Sequence, residues 1–131
     1  MSNVIKTSVA TIKKSNDYLI EIDYHNESDV ELQDAKTIHQ AFLKLSNNKP
    51  FTLLIEGRNK FVNFSDEAKK FYANDKEVVP LKIAMAMVID TLPARIIGKF
   101  YLSLYKPKYK TKIFSKREQA IEWLGKMYDE I

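Results

Sequence analysis

Glu56 and Arg58, two residues of opposite charge, follow directly on the apolar run Phe51 to Ile55. A short continuous run of that kind reads as a central strand buried on both faces. Open α/β sheets hold their ligands beyond the C-terminal ends of such strands. Glu56 and Arg58 are therefore placed either to pair with each other or to contact a ligand. A second charged pair, Arg95 and Lys99, is four residues apart and shares one face of a helix. Lys106 falls near the same face. Around them stand Ile96, Ile97, Phe100, Tyr101, Leu104 and Tyr105, an apolar arc broader than one core-facing stripe needs. This helix, Ala94 to Tyr105, is the main candidate surface. It suits a protein partner or a dimer mate. It also suits an amphipathic anion such as a fatty acid, with Arg95 or Lys99 on the acid group and Phe100, Tyr101, Leu104 and Tyr105 along the chain. A basic and apolar helix can also lie on an anionic membrane surface.

Catalytic patterns are missing. The chain has no cysteine, which excludes disulfides, thiolate metal sites and cysteine nucleophiles. His25 and His39 are not one helical turn apart and form no metal-ligand spacing. Gly57, Gly98 and Gly125 make neither a phosphate loop nor a dinucleotide fingerprint, and no Gly-x-Ser-x-Gly elbow occurs. Asp66-Glu67 and Asp129-Glu130 lie at helix ends, where the first pair complements the helix dipole. Ser65 reads as a helix N-cap. The expectation is a protein that is not an enzyme and needs no metal or cofactor.

The net charge of +4 is unevenly spread. Thr91 to Arg117 holds eight basic residues and no acidic one, while the rest carries 13 basic against 17 acidic. Such asymmetry can mark an anionic partner. Lys106, Lys108, Tyr109, Lys110 and Lys112 mix lysines with an aromatic, as single-strand binders do. Alternating lysines also guard an exposed sheet edge, so nucleic acid is not the expected partner. The most apolar stretch, Ile83 to Ile89, is far shorter than the roughly 20 residues of a membrane span. No apolar leader segment is visible, because Lys6, Lys13 and Lys14 interrupt the first residues. A cytoplasmic protein with no membrane span is expected.

The elements that must position these residues follow from periodicity. Val4 to Lys14, the turn Ser15-Asn16-Asp17 and the alternation Tyr18, Ile20, Ile22, Tyr24 predict a β-hairpin. Ser28 and Glu31 match a capping box, opening a helix with Leu32, Ala35, Ile38, Phe42 and Leu45 at helical spacing. That helix stops at Asn47-Asn48-Lys49-Pro50. After the strand Phe51 to Ile55, Gly57 to Asn63 reads as a polar loop. Ser65 or Asp66 caps a short helix with Ala68, Phe71 and Tyr72. Ile83 to Ile89 predicts a second central strand, and Asp90 or Thr91 opens the helix of Arg95 and Lys99. Thr111 to Phe114 predicts a last strand. Ser115 and Glu118 form a second capping box before Ala120, Ile121, Leu124, Met127 and Tyr128. Alternating strands and helices imply one α/β domain over residues 1–131, its mixed sheet antiparallel at the N-terminal hairpin and parallel at the centre, flanked by about four helices.

Two segments carry a resemblance. One is Ala86-Met87-Val88-Ile89-Asp90-Thr91-Leu92-Pro93-Ala94-Arg95 with Gly98-Lys99-Phe100-Tyr101. The other is Lys112-Ile113-Phe114-Ser115 with Ala120-Ile121-Glu122-Trp123-Leu124. Together they resemble small bacterial single-domain members of the STAS-like superfamily, named for sulfate transporters and anti-sigma factor antagonists. The resemblance is clearest over the C-terminal half. It implies a mixed sheet flanked by helices and a non-enzymatic role in signalling or ligand binding. Related folds include lipid-carrying domains of the CRAL-TRIO type. Anti-sigma factor antagonists carry a phosphorylatable serine after the strand matching Phe51 to Ile55. Here that loop begins Glu56-Gly57-Arg58-Asn59 and reaches its first serine only at Ser65, so the phosphoswitch is not carried over.

Overall fold

The computed structural model describes residues 3–105 and 107–131, without the side chains of residues 100–105. The chain opens as three antiparallel strands rather than two: β1 (Val4–Lys6), β2 (Ala10–Lys14) and β3 (Leu19–Tyr24). The segment expected as one strand breaks at Thr7-Ser8-Val9. Thr7 Oγ1 accepts hydrogen bonds there from the backbone N–H groups of Val9 and Ala10. A side chain that bonds its own backbone in this way competes with extended pairing. The next turn uses the same device, with Asn16 Oδ1 accepting from the N–H groups of Tyr18 and Leu19.

Beyond β3 the sheet becomes parallel. The later elements are β4 (Ser28–Val30), α1 (Leu32–Ser46), β5 (Phe51–Glu56), β6 (Val62–Phe64), α2 (Asp66–Asn74), β7 (Lys82–Val88), α3 (Leu92–Tyr105), β8 (Lys110–Phe114) and α4 (Arg117–Asp129). The main sheet runs β1-β2-β3-β5-β7-β8, with parallel pairs from β3 onward. β4 and β6 pair separately and in parallel. β6 lies partly within the segment expected as a loop, and β4 uses Ser28, the residue expected to cap α1. The cap moves to Glu31, whose N–H donates to the Asp34 carboxylate at 2.9 Å. At α4 the N-cap is Lys116 rather than Ser115. Ser65 caps α2 as expected, its Oγ accepting from Ala68 N–H at 3.1 Å.

Two apolar layers hold the sheet. On one face Ile12, Ile20, Ile22 and Leu53 pack with Ile38 and Phe42 of α1 and with Phe51. On the other, Leu19, Leu54, Ala84, Ala86 and Val88 pack with Ala120 and Leu124 of α4. Leu53 and Leu54 point to opposite layers, which is why β5 is apolar without alternation. The small Ala84 and Ala86 leave room for α4 to approach the sheet. Burying a side chain such as Phe42 stabilises by about 1.5–3 kcal/mol.

The pairing of β5 with β7 carries one irregularity. Phe51 stands opposite Lys82, but Thr52 stands opposite Ala84, so Ile83 is the extra residue of a bulge. Ile83 and Ala84 both pack toward α4. Lys82 is thereby turned to the α1 side, where its Nζ lies 5.7 Å from the centre of the Phe42 ring. A bulge re-aims side chains in this manner.

The basic stretch 91–117 is divided among elements. Lys110 and Lys112 are exposed on the edge strand β8. Arg117 pairs with Glu21 across to β3, Nη2 to Oε1 at 2.5 Å. Arg95 and Lys99 stand on α3. No helix among the described residues is long and apolar enough to cross a membrane.

Candidate functional site

The two charges at the end of β5 pair with each other. Arg58 Nε donates to Glu56 Oε1 at 2.8 Å and Nη2 to Oε2 at 3.1 Å, while the Arg58 backbone N–H also reaches Oε1 at 3.0 Å. Burial by itself would raise the Glu56 pKa, but the Arg58 hydrogen bonds and charge, with Arg117 more distant, hold it below the ordinary value. Gly57 between them is a close approach: its N–H donates to Val88 O at 2.9 Å, and a Cβ there would stand 3.0 Å from that same oxygen. The ligand position expected of an open sheet is thus occupied by an internal ion pair locked onto the end of β7.

α3 starts beside that pair. Arg95 N–H donates to Thr91 O at 3.0 Å, which begins the helical ladder. Gly98 is its buried contact: a Cβ there would meet Ile113 Cδ1 at 3.0 Å and Ile89 Cδ1 at 3.5 Å. At 3.6 residues per turn, Leu92, Pro93, Ile96 and Ile97 fall on the opposite side of the helix. Leu92 is 66 % exposed, Ile96 59 % and Ile97 69 %. Surface helices ordinarily turn polar residues outward, so this helix shows its aliphatic side to solvent. Lys99 is exposed and Arg95 partly so, flanking the aliphatic side on one edge. Arg95 Nε is buried without a hydrogen-bond partner. The side chains of Phe100, Tyr101, Leu104 and Tyr105, and Lys106 altogether, lie outside the described residues. The structure therefore brings Glu56 and Arg58 together, places Arg95 and Lys99 beside an exposed aliphatic surface, and adds Leu92 to the residues singled out in the sequence.

A second site was not legible in the sequence. A cleft of about 580 Å³ opens at the other end of the sheet, where β7 and β8 begin. The end of α2 walls it on one side and the end of α4 on the other. Lys82, only 7 % exposed, lines it. Its Nζ sits 3.4 Å from the Tyr109 hydroxyl and 5.0 Å from the centre of that ring. Burial pushes the Lys82 pKa down to about 8, although the charge of nearby Asp75 raises it somewhat. Asp75 is itself engaged: Oδ2 accepts from His39 Nδ1 at 2.7 Å and Oδ1 from the Glu77 N–H at 3.1 Å. His39 is 1 % exposed, between Phe42, Phe71 and Tyr72. Burial, then the charge of Lys82, lowers its pKa to about 4 against the pull of Asp75. The imidazole is thus neutral near pH 7, donating through Nδ1, with Nε2 buried and unpartnered. The signal that could have found this site is a lysine at the head of an apolar strand, together with a histidine on the apolar side of a helix. Periodicity hides it, because regular alternation puts Lys82 on the face of Ala84 and Ala86.

Among the described residues no group of three or more histidine and acidic side chains is arranged to hold a metal ion. A six-stranded sheet with an antiparallel start, a parallel centre and helices on both faces defines an α/β protein with a mixed sheet. The chain belongs to the family described as "Domain of unknown function (DUF7793)", whose model matches residues 12–128. It is also similar to the crystal structure of an uncharacterized protein of the DUF3478 family from Shewanella loihica PV-4, described as having a SpoIIAA-like fold. The TM-score is 0.61 at 13% identity, covering 92% of this chain and 98% of that one. That likeness establishes the fold. No sequence match is found among curated proteins.

Proposed function

We propose that the domain is a non-enzymatic interaction module that docks a protein partner on the outer side of α3. The observation that carries this reading is the exposure of Leu92, Ile96 and Ile97 together on one helix. Contiguous exposed apolar surface of this sort marks sites of association. Arg95 and Lys99 at its margin call for a partner with an apolar centre and an acidic rim, since complementary charge steers and orients docking. A symmetric pair of copies would bring the same patch, and so the same basic groups, against itself. This disfavours self-association relative to an acidic partner. A chain without cysteine suits the reducing cytoplasm as the place of action.

The test is a photo-crosslinking residue at position 97, introduced in cells, with native mass spectrometry of the purified protein alongside. The expected result is one defined adduct with a protein bearing an acidic surface, lost when Lys99→Glu and Arg95→Glu are introduced, and a monomer in the mass spectrum. An adduct at twice the chain mass with a dimer in the spectrum would replace the partner by a second copy. Equal adducts from position 97 and from an exposed control such as Lys49 would refute docking on α3.

A further inference from the structure

Among the described residues, neither α3 nor the Glu56–Arg58 pair lines the cleft around Lys82. This cleft lies at the end of the sheet where parallel strands begin, opposite the end at which open α/β sheets usually place ligands. Its most buried polar group is the Lys82 ammonium. Taking an ammonium out of water is expensive unless an anion and good hydrogen bonds compensate it. Among the described residues no carboxylate forms an ion pair with Nζ. Its compensation is one long contact to the Tyr109 hydroxyl and the faces of Phe42 and Tyr109. An ammonium has three donors, so this side chain retains capacity for an acceptor arriving from the cleft. The bulge at Ile83 is what aims it there.

The surroundings favour an anion with an apolar body. Lys76, Lys108 and Lys110 line the cleft and are exposed, so that with Lys82 four basic side chains stand against Asp75 and Glu130. Both Asp75 oxygens are already accepting hydrogen bonds. Val79, Ile83, Met127 and Ile131 supply apolar wall. A cleft of this size, with apolar wall beside polar groups that can fix an orientation, falls in the range of small-molecule sites.

We propose that this cleft binds a small amphipathic carboxylate, its acid group on Lys82 Nζ beside the Tyr109 hydroxyl and its hydrocarbon part against Val79, Ile83 and Met127. The reading is independent of docking on α3. Asp75 acts on Lys82 through its charge without an ion pair to Nζ, and a bound carboxylate supplies a direct, charge-assisted hydrogen bond. Lys76 and Lys108 draw the anion toward the opening.

Octanoate is a suitable probe, followed by isothermal titration calorimetry and by NMR chemical shifts of the full chain. Octanoate should bind saturably and perturb Tyr109 and Ile83. In Lys82→Met, which keeps the length of the side chain and removes the charge, affinity should fall by about tenfold or more, as expected for loss of a hydrogen bond to a charged group. Ile97→Asp should bind octanoate as the unmodified chain does. Octanol, which keeps the chain and lacks the anion, should bind at least about tenfold more weakly. A circular dichroism melt establishes that Lys82→Met is folded, and Tyr109→Phe provides a second variant with a smaller loss. Absence of saturable octanoate binding would overturn the proposal. So would equal affinity in folded Lys82→Met, equal affinity for octanol, or shifts confined to residues outside the cleft.

Discussion

His39 on α1 and Asp75 at the end of α2 are joined by a 2.7 Å hydrogen bond from Nδ1 to Oδ2. The bond ties two helices on one face of the sheet and leaves the imidazole 1 % exposed. Removing the acceptor leaves a buried donor unpaired. Asp75→Ala should therefore destabilise the domain by about 1–3 kcal/mol, read from urea unfolding near neutral pH.

The same histidine makes the fold sensitive to acid. Its ordinary pKa is 6.5 and its folded value about 4, because burial and the charge of Lys82 oppose protonation. Between those values the unfolded chain binds the proton and the folded chain does not. The contribution is complete above pH 6.5 and is lost as pH falls toward 4, by up to about 3 kcal/mol. Unfolding free energies measured across this window should show the slope, and a folded His39→Phe variant should flatten it.

Lys82 has the matching signature at alkaline pH. Its pKa falls from 10.5 to about 8 on folding. Between those values the unfolded chain is protonated and the folded chain is not, so stability declines as pH drops from 10.5 to 8 and the cost then stays constant. Replacing a buried charge with an apolar chain of similar length is often neutral or stabilising. Lys82→Met should raise unfolding free energy at pH 7 by about 1–3 kcal/mol, measured with urea and no added carboxylate. A loss of stability would mean that the ammonium is compensated by the fold itself.

Gly57→Ala should be costly for a geometric reason. The new Cβ would meet the Val88 carbonyl oxygen at 3.0 Å, a backbone atom that also accepts the Gly57 N–H. Relief requires separating β5 from β7 at their ends. A loss of about 1–3 kcal/mol is expected, seen as a lower thermal midpoint.

Ile97→Asp is the contrasting case. Ile97 is 69 % exposed, so the substitution should change stability by no more than about 0.5 kcal/mol. Circular dichroism melts of the two chains should nearly superimpose. A large loss would mean that Ile97 is held by the fold and is not available to a partner.

The N-terminal strands show how legibility ends. The β-branched character of Val4 to Lys14 identified strand correctly, but the break at Thr7 depends on one hydroxyl reaching two backbone N–H groups. Composition cannot register that. The capping box at Ser28 failed because Ser28 to Val30 found a partner in Val62 to Phe64, more than thirty residues away. Pairing across such a distance outbid a local cap. Ser65 had no such competitor and capped its helix as expected.

By itself the sequence determined the class of the protein. The doubly buried run at Phe51, the helical stripes of α1 and α4, and the alternation of strand and helix dictate a mixed sheet covered on two faces, because only that arrangement buries all of them at once. The wide apolar arc of α3 was readable too. Only the tertiary structure decided which part of that arc faces water, since Gly98 takes the contact with Ile113 and leaves Leu92, Ile96 and Ile97 outward. Only the tertiary structure placed Lys82 in a cleft. A one-residue bulge inverts the side-chain order of a strand, and its position depends on the neighbouring strand rather than on any local pattern.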